Sequence, residues 1–585
     1  MDMTSPFRLT RKTPFGIGEN LTEWATGLSQ LDRFYAERPI GCDTKAFLRY
    51  TLETLGIQYH INSGLLSEVP SHGPTVIVAN HPLGCVEGVI LAELLLMIRP
   101  DVKVLANYHL KSIPELDDLF IGVDVFDSQD AHKANLHAYR EAKTHLKEGG
   151  LLLMFPAGEV SQMIDRKTKR LEDKEWSRSV SAFIKGSKAT TVPIFVRGTN
   201  SKSFYMAGKV HPMLRTLMLG RELLNKTRQP IEISIGEAIK YKEVNKLTDG
   251  QIVSYLRLNT YLLNRSQNLI QKPELSTNKE SAIAPALPLS NILDDLQHLP
   301  QEHHLLSSGE FEVYCTTANH IPSILHEIGR LREINFRAVG EGTGETLDID
   351  EFDKHYRHLF VWDNQNQQLV GAYRLGVVEQ ILDSKGVNGL YSRTLFHYDH
   401  RFLNKMGKAV ELGRSVIAAP YQKSMNALLL LWKGIASFIN QNPEYTHLFG
   451  PVSISNDYSE QARQLLADTM TLHYYDNDSA NYVEASNPLK SQQSLWNTSL
   501  LTALSDLQLL SRVIARIDDG KGVPVLLRQY LALNGKLVSF NVDPEFNSAL
   551  DGLIVVDLRS VPAKTLGRYM GSTEAQQYLS YHSID

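Results

Sequence analysis

Cysteine is scarce in this 585-residue chain: Cys42, Cys85 and Cys315 are its three, far apart. Such spacing excludes a disulfide framework and a cysteine-rich zinc site, and makes cytoplasmic chemistry the expectation. Long apolar runs are missing too. A membrane-spanning helix needs about 20 apolar residues, and the best stretch, Gly88 to Ile98, is short and carries Glu93, so it reads as a buried helix. The opening Met1-Asp2-Met3-Thr4-Ser5-Pro6 lacks a basic region followed by an apolar core, so no secretory signal is expected. Neither charge sign dominates: 60 Lys and Arg face 65 Asp and Glu, a net charge of −5. Bulk charge therefore implies neither nucleic acid nor an anionic surface as partner. Internal repeats and low-complexity tracts are absent.

What is present suits a large globular core. The chain is 43% hydrophobic and 21% charged, and its length implies two to four domains. Leu21, Trp24, Leu28, Leu31 and Phe34 recur at helical spacing, predicting a helical lead-in over 1–65. From 74 to about 240, apolar strands at 75–79, 102–107, 151–155, 191–197 and 231–235 alternate with helical segments. That alternation predicts an α/β domain over 66–265 with a largely parallel sheet. Residues 266–309 lose periodicity and read as a linker. A second domain, 310–585, opens on the alternating Phe311-Glu312-Val313-Tyr314, with a hairpin predicted from strands near 358–363 and 368–376.

The first candidate site is Asn80-His81-Pro82-Leu83-Gly84-Cys85-Val86-Glu87, directly behind the strand at 75–79. A neutral imidazole takes a proton from an alcohol near pH 7. A neighbouring carboxylate sets its tautomer and stabilises the imidazolium. A turn carrying a solvated histidine is the alternative. A second block behind an apolar run, Phe155-Pro156-Ala157-Gly158-Glu159, strengthens the catalytic reading.

The two blocks together resemble the glycerolipid acyltransferase superfamily. Its first motif, a histidine and an acid with four residues between them, is matched by His81…Glu87, with five between and with Glu for Asp. Its third, Phe-Pro-Glu-Gly, is matched with Ala157 in place of Glu. Its fourth is matched by Val192-Pro193-Ile194-Phe195-Val196. The second normally ends in a phosphate-holding arginine, whereas Phe120-Ile121-Gly122-Val123 is followed by Asp124. The resemblance implies His81 as base, Glu87 as its orienting acid, and Asn80, Gly84, Phe155, Pro156, Gly158, Glu159 and Pro193 around the substrate. The departures imply a zwitterionic or cationic acceptor head group. They are similar to the haemolysin-like branch that includes lyso-ornithine-lipid O-acyltransferases. Residues 211–228 mix Leu and Met with Arg215, Arg221, Lys226 and Arg228. Such a helix either lies in a membrane interface or packs on its own domain.

Three stretches stand out in the second half: Glu327 to Gly344 followed by Asp348, Asp350 and Asp353; Val410-Glu411-Leu412-Gly413-Arg414; and Phe449-Gly450-Pro451-Val452-Ser453. With Pro524 to Tyr530 and Phe540 to Pro544, they resemble the acyl-carrier-protein-dependent GNAT N-acyltransferases. That group is similar to acyl-homoserine-lactone synthases and ornithine N-acyltransferases. Ala418 to Ser424 lacks the glycine-rich loop that cradles a pyrophosphate, which favours acyl carrier protein over coenzyme A as donor. Glu411 is the expected base, Asp350 and Asp353 the partners of a cationic amino acid, and Arg337 and Arg414 those of its carboxylate. Structural ion pairs, Glu411–Arg414 and Arg337–Asp353, are the alternative. Gly340, Gly342 and Gly344 read as a flexible lid.

The resulting expectation is an α/β chain: an N-terminal glycerolipid-acyltransferase-like domain plus a C-terminal GNAT-like mixed-sheet domain. Its implied activity is bifunctional: N-acylation of ornithine with a 3-hydroxyacyl chain from acyl carrier protein, then O-acylation of the lyso-ornithine lipid. Acyl-CoA is a possible second donor; no metal or redox cofactor and no nucleic acid are implied. The expected location is the inner face of the cytoplasmic membrane, peripherally bound. Glycine, lysine, glutamine or a lysophospholipid are alternative acceptors. A membrane-active haemolysin, or an acyl-binding protein without turnover, is the rival from another class.

Overall fold

Val76-Ile77-Val78-Ala79 is buried on both faces, as a central strand flanked by parallel neighbours must be. Each such fully buried aliphatic side chain contributes about 1.5–3 kcal/mol relative to exposure. In the computed structural model, which describes residues 5–9, 17–123, 131–165, 170–210, 215, 217–226, 230–264, 281–490 and 496–583, two compact units emerge. The first comprises 1–269 and 495–509, the second 270–494 and 510–585.

The first unit holds a seven-stranded sheet. Its order is β1 (Tyr59–Ser63), β9 (Ile231–Ile235), β8 (Thr190–Arg197), β2 (Thr75–Ala79), β5 (Leu151–Met154), β3 (Val102–Asn107) and β4 (Phe120–Val123). Every pairing is parallel except β8 with β9. A separate hairpin joins β6 (Gln162–Asp165) to β7 (Arg170–Glu172). The expected strands at 75–79, 102–107, 151–155, 191–197 and 231–235 are all there. The helical lead-in packs into this unit and also supplies β1. Leu31, Tyr35, Phe47, Leu48 and Leu52 share one core with Ile77, Ile90, Leu153 and Ile233, while Leu21 and Trp24 stay exposed. Thr498–Ser505, far along the chain, packs on the Asp249–Tyr261 helix of this unit.

The second unit holds an eight-stranded mixed sheet. Its order is β10 (His304–Ser308), β11 (Phe311–Thr317), β12 (Arg357–Asp363), β13 (Gln368–Val377), β15 (Ala409–Ile417), β16 (His447–Ile454), β19 (Ala549–Asp557) and β18 (Lys536–Asp543), with β14 (Phe396–Tyr398) and β17 (Val483–Ala485) paired apart. The linker expected over 266–309 is corrected in its later part. Leu289–Gln297 is a helix, and β10 is already a strand of the sheet. Residues 265–280 lie outside the described residues.

One pairing in this sheet is parallel, β15 with β16, and it is short. It runs from Ala409↔His447 to Glu411↔Phe449, although both strands continue. At the parting point the backbones nearly touch: a Cβ at Gly450 would sit 2.0 Å from the Leu412 carbonyl oxygen. Glycine is required there. Beyond it β16 stays with β19, β15 stays with β13, and a wedge opens inside the sheet. Among the described residues, no helix is long and apolar enough to cross a membrane.

Candidate active sites

In the first unit the chemistry gathers at the C-terminal ends of parallel strands, where open α/β sheets leave a crevice. β2 ends at Ala79, and its neighbour β5 ends at Met154. Both motif blocks therefore leave the sheet side by side. The His81 ring stacks on Phe155, centroids 4.5 Å apart. Glu87, in the first turn of the Cys85–Leu96 helix, is fully buried, and its Oε1 lies 2.9 Å from His81 Nδ1. That oxygen sits off the axis of the ring N–H, so the pair is a close contact rather than a linear hydrogen bond. The same oxygen accepts the N–H groups of Leu83 and Gly84, both at 2.9 Å. With Nδ1 facing the carboxylate, Nε2 is the nitrogen left to take a proton.

Sequence reasoning missed the residue that clamps the histidine backbone. Asp173 Oδ1 accepts from the His81 N–H at 3.3 Å and from Ser161 Oγ at 2.5 Å; its Oδ2 accepts from Trp176 Nε1 at 2.9 Å. The Ser161 N–H in turn donates to the His81 carbonyl at 2.7 Å. Both backbone groups of His81 are thus fixed. No local signal marked Asp173, which sits in a charged run, Arg170-Leu171-Glu172-Asp173-Lys174.

The other expected residues divide. Asn80 bridges strands, donating to the Val196 carbonyl and accepting its N–H. Gly84, at φ 94°, has Leu219 within 2.5 Å of where a Cβ would sit. Gly158 turns the chain at φ 70° with open space around it, and the carbonyl of buried Pro156 accepts from the Ser177 N–H. Glu159 is paired with Arg215 at 2.6 Å and Lys174 at 2.8 Å. Burial raises its pKa, but those two cations outweigh burial and hold the carboxyl below its usual range. Pro193 is corrected: it stays inside β8, opposite Val78, packed under Gly236. Asp124 and part of 211–228 (211–214, 216, 227 and 228) lie outside the described residues. Of the basic residues named there, Arg215 turns in to Glu159 and Lys226 to Thr199 and Asn200.

In the second unit the expected ion pairs are replaced by others. Arg337 bonds Glu333 at 2.6 Å and the Ser281 carbonyl at 2.8 Å, not Asp353. Glu333 also accepts from Thr343 and the Gly344 N–H, so the glycine loop expected as a lid is pinned. Asp353 lies between Arg332 (2.8 Å) and Arg374 (3.4 Å). Burial opposes its ionisation, but those guanidiniums dominate and depress its pKa. Asp350 caps its own turn and accepts from Arg374 at 2.6 Å. These three residues are engaged internally rather than presented to an acceptor.

Glu411 is 1% exposed. Its carboxylate accepts from the Tyr356 hydroxyl, from the Tyr391 N–H at 3.1 Å and from the Ser392 N–H at 2.7 Å. A carboxylate so filled with donors anchors the Tyr391–Ser392 turn and, buried as it is, is closed off from an acceptor amine. This corrects its expected role as base. Arg414 pairs with Asp348 at 3.2 Å instead of Glu411.

Arg414 is in the wedge. It has φ 47°, unusual for a non-glycine residue, beside the bulge where β13 and β15 shift register. Its guanidinium lies 4.5 Å from the Phe546 ring centroid and 5.4 Å from that of Tyr391. Across the wedge is a second group that sequence reasoning did not assign: Glu341, Asp543 and Asp551, respectively 8%, 5% and 2% exposed. Ser453 donates to Asp551 at 2.6 Å. Burial, partly offset by Ser455 and Ser453, pushes Glu341 and Asp551 each up to about 7. Asp551 did carry a sequence signal, an aspartate within the apolar run Ala549 to Val556.

Comparison with known proteins agrees with this division. Residues 30–269 match a family described as acyltransferase, and residues 331–433 match the acetyltransferase (GNAT) domain family. A glycine N(alpha)-acyltransferase from Bacteroides thetaiotaomicron is 30% identical over 265 residues, covering 42% of this chain and 77% of that protein. A lyso-glycine lipid O-acyltransferase from Phocaeicola vulgatus is 25% identical over 236 residues, covering 39% of this chain and 80% of that protein. The 1-acyl-sn-glycerophosphate acyltransferase PlsC of Thermotoga maritima matches at 16% identity and a TM-score of 0.24, over 40% of this chain and 86% of its own. The chain belongs to the acyltransferases, with an acyltransferase domain first and a GNAT-type domain second on one polypeptide.

Proposed function

We propose that this chain is a two-step aminolipid synthase whose second unit makes an amide and whose first unit makes an ester on the product. In the first step the α-amine of ornithine, having lost a proton, attacks the thioester carbon of a 3-hydroxyacyl chain on acyl carrier protein. A C–N bond forms, the C–S bond breaks, and the proton that the nitrogen sheds on becoming an amide goes to the departing thiolate. In the second step His81 Nε2 takes the proton of that chain's 3-hydroxyl as its oxygen attacks a second acyl thioester. A C–O bond forms, the C–S bond breaks, and the imidazolium returns its proton to the thiolate. Glu87 orients the ring and stabilises its charged form. Gly158 and neighbouring N–H groups are candidates to receive the oxyanion. Both steps would run at the inner face of the cytoplasmic membrane, with acyl carrier protein as partner.

The observation that carries this reading is the His81–Glu87 pair, a base suited to hydroxyls, on the same chain as a GNAT-type domain. A second reading takes glycine as acceptor, which fits the names of the glycine and lyso-glycine lipid acyltransferases among the relatives. The test is thin-layer chromatography of lipids from a host expressing the chain and fed labelled ornithine or glycine. A new ninhydrin-positive, phosphorus-free lipid labelled by ornithine is expected. Label from glycine alone would move the assignment to the second reading. Unchanged lipids, with lysis of erythrocytes, would end both.

A further inference from the structure

Three carboxylates meet in the β15–β16 wedge without a cation to neutralise them. Glu341 follows the Pro322–Ala338 helix, its N–H donating to the Phe336 carbonyl at 2.7 Å. Asp543 ends β18, and Asp551 lies in the neighbouring β19. Phe336 and Phe546 are edge to face at 6.3 Å and both flank the Arg414 guanidinium, and Glu341 and Asp543 lie near enough to Asp551 for each to oppose its ionisation. Among the described residues none of the three has an ion-pair partner within 4 Å. Glu341 Oε1 is buried with no hydrogen-bond partner at all. Arg414, the cation in reach, already holds Asp348, and its Nε is buried and unpartnered.

Burying one carboxylate without a partner is costly, and three together are worse, because each opposes the others' ionisation. Asp543 caps the Pro544–Phe546 turn, accepting the Glu545 N–H at 3.0 Å, and Asp551 accepts from Ser453, but neither contact supplies a cation. A ligand cation removes the cost. A ligand anion completes the Arg414 donors in a two-pronged geometry. Ser453 is exposed while the Asp551 carboxylate it bonds is buried, so the cluster has a mouth at β16.

We propose that Glu341, Asp543 and Asp551 form a cation cage, opposite Arg414, that selects an amino acid with a second, side-chain ammonium group. The inference rests on reading this unit as the N-acylating half. Arg414 holds the acceptor carboxylate, and the acids hold the side-chain ammonium. Glycine has nothing to place in the cage.

The test is titration calorimetry of the full chain with ornithine, lysine and glycine, on wild type and on Glu341→Gln, Asp543→Asn and Asp551→Asn, beside the KM for N-acylation. Ornithine and lysine should bind wild type about tenfold or more tighter than glycine, and each amide variant should weaken ornithine about tenfold while leaving glycine within about twofold. Wild type alone supplies a second readout. At pH 7 ornithine binding should release protons, seen as a dependence of heat on buffer. The ammonium draws protons off acids also flanked by Arg414, Tyr391, Asp457 and Glu545. Equal affinity for glycine and ornithine, absence of proton release, or an ornithine KM unmoved by all three variants would overturn the cage. Tight ornithine binding lost in the variants, with no acyl transfer to any amino acid, would keep the cage and overturn the N-acylation reading.

Discussion

Glu87 binds His81 and the helix that follows it with one oxygen atom: Oε1 lies 2.9 Å from His81 Nδ1 and accepts the Leu83 and Gly84 N–H groups. The acid that would tune the base also fixes the turn that carries the base. Orientation and folding of the motif are therefore one property, and substitutions separate them by charge and by shape.

His81→Ala removes the base and leaves the other unit intact. The expected product is a mono-acylated lyso-aminolipid that accumulates, seen by mass spectrometry of total lipid. Normal amounts of the finished diacyl lipid would remove His81 from the mechanism.

Glu87→Gln keeps an oxygen to accept the two N–H groups but loses the charge that supports an imidazolium. O-acylation should fall about 100-fold or more with little change in melting temperature. Glu87→Ala should lose the same activity and also about 1–3 kcal/mol of stability, because the N–H groups are left unpaired. Equal melting temperatures for the two variants would contradict the dual role.

Asp173→Ala should lower O-acylation without touching the substrate, by releasing the His81 N–H, Ser161 and Trp176 together. A loss of about 1–3 kcal/mol is expected from unfolding in urea. Asp173→Asn, which keeps an acceptor oxygen, should recover part of the activity with the wild-type pH profile. A displaced pH profile in that variant would make Asp173 more than a clamp.

Glu411→Gln should act on stability first. It weakens the acceptor for the Tyr356 hydroxyl and for the Tyr391 and Ser392 N–H groups, so a lower melting temperature should accompany any loss of N-acylation. Complete loss of N-acylation at unchanged melting temperature would restore Glu411 as the base.

Stability should depend on pH in a way traceable to single groups. Asp551, pushed up to about 7 by burial, binds its proton more tightly folded than unfolded, where its pKa is about 4. Its contribution is therefore lost as pH rises from about 4 through 7. Asp551→Asn should be more stable than wild type at pH 7.5, and the difference should shrink toward pH 4. His358, lowered to about 4 by burial and by Arg332 and Arg374, works oppositely: its contribution is lost as pH falls from about 6.5. A constant gap between Asp551→Asn and wild type across this range in urea melts would refute the assignment.

Much of the first unit was legible because its signals are local. An apolar run such as Thr75 to Ala79 has few ways to be buried other than as a central strand, and a histidine and a glutamate six positions apart across a tight turn meet without long-range help. Glu411 reads as a base and Asp350 as a ligand because a carboxylate on a strand or turn looks the same in sequence whether donors or solvent surround it. Asp173 and Pro193 show the same limit from opposite sides, one overlooked and one over-weighted, since each role is set by chain more than 80 residues away.

The order of residues determined the alternation of strands and helices, the two acyltransferase blocks and the pairing of His81 with Glu87, because periodicity and short separations settle those. Tertiary structure decided the parting of β15 from β16, the partners of Arg337, Asp353 and Arg414, and the meeting of Glu341, Asp543 and Asp551. Glu341 comes from a segment some 200 residues before Asp543 and Asp551, and Arg414 meets Asp348 across 66 residues, so sheet register, not spacing along the chain, brings those charges together.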